Sequence, residues 1–161
     1  MATPRGSAHV HLSNDAQPPV HMQPLAVQED KMSDRLLTEA TVQELHLELL
    51  RRSMHNALDG EEIHEDLLAM RDLWCSVLFD ASGLDSDHSG AQLIKLRDMA
   101  QNDYNVDTLY ILVANSAAAH QIAQYGERWQ ADTVHVPHEA ATSRILGSSD
   151  LNMQLVTMWW D

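Results

Sequence analysis

The run TLYILVA at 108–114 is apolar at nearly every position and rich in β-branched and aromatic side chains. That is the composition of a strand covered on both faces, not of one with a solvated side. Downstream, NSAAAHQIAQYGERW at 115–129 has a helical pattern, with Asn115 or Ser116 placed to cap its first amides. DTVHVP at 132–137 is a second, shorter strand closed by Pro137, and HEAATSRILGSS at 138–149 is a helix ended by Gly147. MQLVTMWW at 153–160 supplies a third strand. Strand, helix, strand, helix, strand with crossovers of this length predicts a small, mostly parallel three-stranded sheet (βαβαβ) over 106–161.

Upstream of the strand the period is helical. Leu36, Ala40, Leu47, Leu50, Met54 and Leu58 fall on one stripe, and Thr41 with Glu44 forms a capping box near its start. Asp59–Gly60 ends that helix, and Asp59 with Glu62 opens a second. Ile63, Leu67, Met70, Trp74, Val77 and Leu78 are its expected buried stripe, so the two helices form an antiparallel hairpin. A third, shorter helix is expected over 91–101. The expected fold is therefore α/β: an N-terminal helical hairpin plus a third helix (33–103) packed on the sheet. It forms a single domain over 33–161, behind a flexible tail at 1–32 that carries Pro and Gln but no periodicity.

Charge narrows the partners. The chain has 24 acidic residues against 10 basic ones, a formal net charge of −14. Such a surface repels phosphate backbones and anionic lipid, so neither nucleic acid nor membrane is an expected partner, whereas a basic protein is. One cysteine, Cys75, excludes an internal disulfide, and its apolar setting LWCSVLF reads as core. No apolar run resembles a signal peptide or a membrane span, so a cytoplasmic location is expected.

Four stretches invite a chemical reading. DSDHSG at 85–90 opens like a calcium loop, with Asp85, Asp87 and Ser89 as ligands. The twelfth position is Leu96, which offers no oxygen, and Ser89 with Gln92 makes an ordinary helix cap. Glu61 and His64 in EEIH have di-iron spacing, but that motif occurs once where such sites need it twice. His135 and His138 in HVPHE lack further zinc ligands nearby. No dinucleotide or phosphate loop is present, so no cofactor is expected. The fourth set follows from topology. The carboxyl ends of parallel strands would carry Asn115, Ser116, His138 and Glu139, with Arg144 a turn further and Asp161 after the last strand. These are candidate catalytic or ligand-binding groups, and equally ordinary helix caps.

The C-terminal Trp159 and Trp160 point to opposite faces of a strand, so one joins the core and the other needs cover. Trp is a favoured interface anchor. The expectation is a non-catalytic interaction protein, an accessory subunit or an inhibitor or immunity-type protein, that self-associates or binds a protein partner. Trp159, Trp160 and the acids Glu61, Glu62, Glu65 and Asp66 would make the contacts. A small enzyme using the strand-end set, and a metal-binding protein, are the alternatives.

Overall fold

The computed structural model describes residues 37–81, 94–148 and 152–161. The expected tail at 1–32 and the DSDHSG loop lie outside them. After a 3₁₀ turn at Leu37–Glu39, helix α1 runs Val42–Arg52. The capping box is present: Thr41 Oγ1 accepts from Glu44 N at 3.2 Å, and Thr41 N donates to Glu44 Oε2 at 2.6 Å. The helix stops at Arg52, earlier than its apolar stripe suggests. Ser53 turns extended, and a two-stranded antiparallel hairpin follows, β1 (Met54–His55) against β2 (Leu58–Asp59). Asn56 makes the turn at φ 49°, a left-handed conformation Asn tolerates. Met54 is therefore 80% exposed rather than on a helix stripe.

Helix α2 spans Gly60–Ala69, with Asp59 as its N-cap accepting from both Glu61 N and Glu62 N at 3.1 Å. Gly60 is required here. A Cβ would lie 1.8 Å from Leu50 O and 2.5 Å from Ser53 O, because α1 and α2 meet backbone to backbone at this joint. The expected extension of α2 through Trp74, Val77 and Leu78 does not form. After Ala69 the chain tightens into a 3₁₀ turn at Arg71–Leu73, and Trp74 turns extended. Trp74 Nε1 donates to Leu67 O at 2.8 Å, satisfying one of the carbonyls that the helix end leaves open. Arg71 lies 3.9 Å from the Trp74 ring centroid and donates to Trp74 O at 2.7 Å. Residues Ser76–Asp80 then form strand β3, with Val77 and Phe79 buried and Leu78 on the other side.

Helix α3 is short, Ile94–Asp98, and leads through a 3₁₀ turn to β4, Thr108–Val113. Helix α4 (Ser116–Arg128) follows, capped by Asn115, whose Oδ1 accepts from Ala118 N at 3.0 Å. Strand β5 is Thr133–His135, α5 is Glu139–Ile145 and β6 is Gln154–Trp159.

The expected mostly parallel three-stranded sheet is corrected by this topology. The sheet has four strands in the order β3-β4-β6-β5, and every neighbouring pair is antiparallel. Strands β4 and β5 do run in the same direction, as a helical crossover requires. The last strand, β6, inserts between them and pairs with both in the opposite sense. β3 adds the fourth strand on the outer side of β4.

Partners directly opposite in an antiparallel ladder share a face. One face therefore carries Val77, Phe79, Leu109, Ile111, Val113, Val156 and Met158. All are buried in a single core with Leu47 and Leu50 of α1, Ile63 and Leu67 of α2, and Ala118, Ala119 and Ile122 of α4. Gly126 lets α4 lie close to the sheet, since a Cβ there would stand 2.2 Å from Val134 Cγ2. Across the layer, Arg128 pairs with Glu62 at 3.0 Å and Asp66 at 3.1 Å, tying α4 to α2. No described helix is long and apolar enough to cross a membrane.

Candidate interaction surface on the second sheet face

The same register fixes what the opposite face presents. Its rows are Ser76, Leu112 and Leu155; then Leu78, Tyr110, Thr157 and His135; then Asp80, Thr108, Trp159 and Thr133. An antiparallel sheet with one wet side normally alternates apolar and polar. Here Leu78, Tyr110, Leu112, Leu155 and Trp159 interrupt that pattern. Leu155 and Thr108 are buried, Tyr110, Leu112, Thr157 and Trp159 are half-buried, and Leu78 is 41% exposed.

Trp159 differs from the other three tryptophans. Trp74 Nε1 donates to Leu67 O, Trp129 Nε1 to Asp66 Oδ2 at 2.9 Å, and Trp160 Nε1 to Trp129 O at 2.9 Å. Among the described residues, the Trp159 indole N–H has no hydrogen bond. Trp160 is fully buried and its amide donates to Asp107 O at 3.0 Å, so it belongs to the core and offers no surface to a partner. Three aspartates gather around this end of the sheet. Asp107 precedes β4, and Asp132 precedes β5. Asp161 follows the tryptophans, and its amide donates to Asp132 Oδ2 at 2.9 Å. Asn56 Nδ2 donates to Asp161 O, which fastens the β1–β2 hairpin to the same corner. Asp80, in the Trp159 row, is paired with Lys95.

The acids of α2 lie elsewhere. α2 packs on the covered face, so the sheet separates Glu61, Glu62, Glu65 and Asp66 from Trp159. Three of them have partners inside the molecule: Glu62 holds Arg128, Asp66 holds both Arg128 and the Trp129 indole, and Glu61 meets Arg51 at 4.0 Å. Glu61 and Glu65 remain outward. One partner surface does not span Trp159 and this acidic helix together.

The strand-end set is divided as well. His138, Glu139 and Arg144 line an open depression of about 890 Å³ with Ser143, Gly147 and Ser148. Asn115 and Ser116 are not part of it; Asn115 is committed to capping α4. His138 Nδ1 accepts from Ala141 N at 3.2 Å, so this imidazole is a helix cap. Asp161 lies at the opposite end of the sheet, because β6 runs against β4 and β5.

Among the described residues no three His, Cys, Asp or Glu converge as metal ligands. Glu48 is held by Arg51 at 2.8 Å and Arg52 at 2.6 Å, and these partners bring its carboxyl down to about 2. Burial lowers the His64 pKa, helped by the nearby Arg51 charge. Cys75 is half-buried, and burial raises its thiol pKa against the opposing influence of Arg71. That is the opposite of an activated nucleophile.

The edges of the sheet are treated differently. On β3, Gln43 of α1 closes the outer rim like a strand in miniature. Its Oε1 accepts from Val77 N at 2.8 Å, and its Nε2 donates to Val77 O at 3.0 Å. Tyr104 Oη donates to Phe79 O at 3.2 Å, satisfying the next outward carbonyl. At the other edge, β5 is three residues long and is followed two positions later by Pro137. Short strands and prolines blunt an edge against strand addition.

The chain matches no protein-family model, and neither curated proteins nor solved structures gave a match.

Proposed function

We propose that this chain is a non-catalytic interaction protein, an accessory subunit or an inhibitor or immunity-type protein, that docks a protein partner on the second face of its sheet. The observation that carries the reading is Trp159. Its ring is half-buried on the same sheet face as Leu78 and Tyr110, and its indole N–H makes no hydrogen bond among the described residues. Tryptophan with one apolar body and one polar tip is a common interface anchor. The net charge of −14 supports electrostatic steering of a basic partner. Panning a displayed random-peptide library on the wild-type chain, with counter-selection on Trp159→Ala, tests the reading. Enriched peptides should lose binding to that variant and to Leu78→Gln. Enrichment indifferent to both substitutions contradicts it.

A second reading, a small ligand-binding protein or enzyme, draws support from the depression around His138, Glu139 and Arg144. Its weakness is that His138 already serves as the cap of α5. Chemical-shift changes centred on Arg144 and His138 during a small-anion titration would favour it over docking at Trp159.

A further inference from the structure

Register fixes the surroundings of Trp159 residue by residue. Thr108 and Thr133 stand directly opposite it on β4 and β5, Thr157 lies two positions back on β6, and Tyr110 and His135 are its diagonal neighbours. Each of these side chains carries a hydroxyl or an imidazole. The apolar part of the face lies beyond Tyr110, at Leu78, Leu112 and Leu155. Trp159 is therefore an aromatic platform bordered by polar groups, not one member of an unbroken apolar stripe.

Several of these groups can donate and have nothing to donate to. The Thr108 hydroxyl is engaged, donating to Asp107 Oδ1 at 2.6 Å. The Trp159 indole N–H and the hydroxyls of Thr133 and Thr157 have no hydrogen-bond partner among the described residues. An occupant that seals Trp159 from water has to bring acceptors, because a donor buried without one loses its hydration uncompensated.

That requirement separates the elements a protein partner can present. A strand would add at an edge, but Gln43 and Tyr104 close the rim of β3, and β5 is three residues long with Pro137 two positions on. A helix holds its backbone carbonyls in bonds to its own amides and offers none along its flank. A polyproline II segment has no internal hydrogen bonds, so all its carbonyls are free to accept. Its proline rings also fit the platform. Trp159 and Tyr110, as diagonal neighbours, stand roughly 7–8 Å apart. One ring held between two aromatic side chains needs two contacts of roughly 3.5–4.0 Å, the same span. Charge agrees with this occupant: the only carboxylate among the face positions is Asp80, and Lys95 pairs with it, which suits an uncharged segment.

We infer, resting on the interaction reading above, that the protein partner presents a proline-rich segment in the polyproline II conformation, with one proline between Trp159 and Tyr110 and a neighbouring carbonyl accepting from the Trp159 indole N–H. The test uses the full chain and three labelled peptides of equal length and charge, followed by fluorescence anisotropy. One repeats Pro-x-x-Pro, one is helical with a leucine stripe, and one is strand-forming. The proline peptide should bind at least about tenfold more tightly than either of the others. Trp159→Phe keeps a ring and removes the N–H, and should weaken the proline peptide about fivefold. Trp159→Ala should abolish its binding. If the helical or strand-forming peptide binds as tightly as the proline peptide and Trp159→Ala abolishes both, the proline segment is overturned and the docking face stands. Proline-peptide binding indifferent to Trp159→Ala and Leu78→Gln lies on another surface, and the interaction reading falls with the inference. Failure of all three peptides to bind overturns the inference. The chain itself carries Pro18, Pro19 and Pro24. If the proline peptide binds only after Pro18→Ala, Pro19→Ala and Pro24→Ala are combined, the chain's own segment is the occupant and a partner's segment is overturned.

Discussion

Trp159 and Trp160 are adjacent in sequence and on opposite faces, so replacing them should have unequal consequences. Trp160 is fully buried, and its indole donates to Trp129 O. Truncating a buried tryptophan to alanine costs about 3–5 kcal/mol, and the orphaned carbonyl adds about 1 kcal/mol. Against a total stability of roughly 5–15 kcal/mol, Trp160→Ala would leave the chain barely folded. Trp160→Phe is the measurable version: it keeps most of the apolar volume but strands the Trp129 carbonyl, for about 2–3 kcal/mol. Trp159 is half-buried and has no indole bond to lose among the described residues. Trp159→Ala should cost about 1 kcal/mol, roughly half the value of burying a large apolar side chain. Equilibrium urea unfolding reads the difference as a lower midpoint at unchanged slope. Trp159→Ala costing as much as or more than Trp160→Phe would refute the register of β6, because it would place the odd-numbered residues in the core.

Gly60→Ala should destabilise by about 3 kcal/mol or more, since the new methyl meets the backbone oxygens of Leu50 and Ser53, which thermal unfolding will show. Gln43→Ala removes both bonds to Val77 and should cost about 1–3 kcal/mol; it should also speed exchange of the Val77 amide and raise light scattering on storage, as an opened sheet edge would. Glu48 has its folded pKa lowered from 4.5 to about 2, so the stability it contributes is complete above about pH 4.5 and is lost as pH falls toward 2. Glu48→Gln should flatten that part of the acid-unfolding profile and lower the neutral plateau, leaving stability near pH 2 almost unchanged. Association with a basic peptide enriched by that panning should slow several-fold as salt rises from low to physiological concentration, and a salt-independent rate would count against steering by the net charge of −14.

Local signals in the sequence are legible where they act. The Thr41–Glu44 box, the Asp59 cap and the Asn115 cap each depend on two or three neighbouring residues, and each is present. Strands β4, β5 and β6 are legible in composition and turn residues. β3 is not legible there, for a specific reason. Trp74, Val77 and Leu78 continue the helical spacing of Leu67 and Met70, while Val77 and Phe79 also alternate, and over five residues the two periods are indistinguishable. What decides between them is tertiary: Cys75 N donates to Leu112 O at 2.7 Å, and all of β3 then pairs with β4. Strand order was illegible for a similar reason. The crossover through α4 does join two strands of the same direction, but no local residue announces that β6 will insert between them. The candidate surface was half legible. Alternation required one of Trp159 and Trp160 to face outward, and only the register shows that it is Trp159. Leu78 joins it only because β3 exists.

Hydroxyl-radical footprinting of the full chain, free and saturated with a peptide enriched by that panning, tests the docking face most directly. The account predicts that Trp159 and Tyr110 are oxidised in the free chain and several-fold less so in the complex, while Trp74, Trp129 and Trp160 stay protected in both. Trp159 already protected in the free chain, or oxidised at the same rate with the peptide bound, would contradict it.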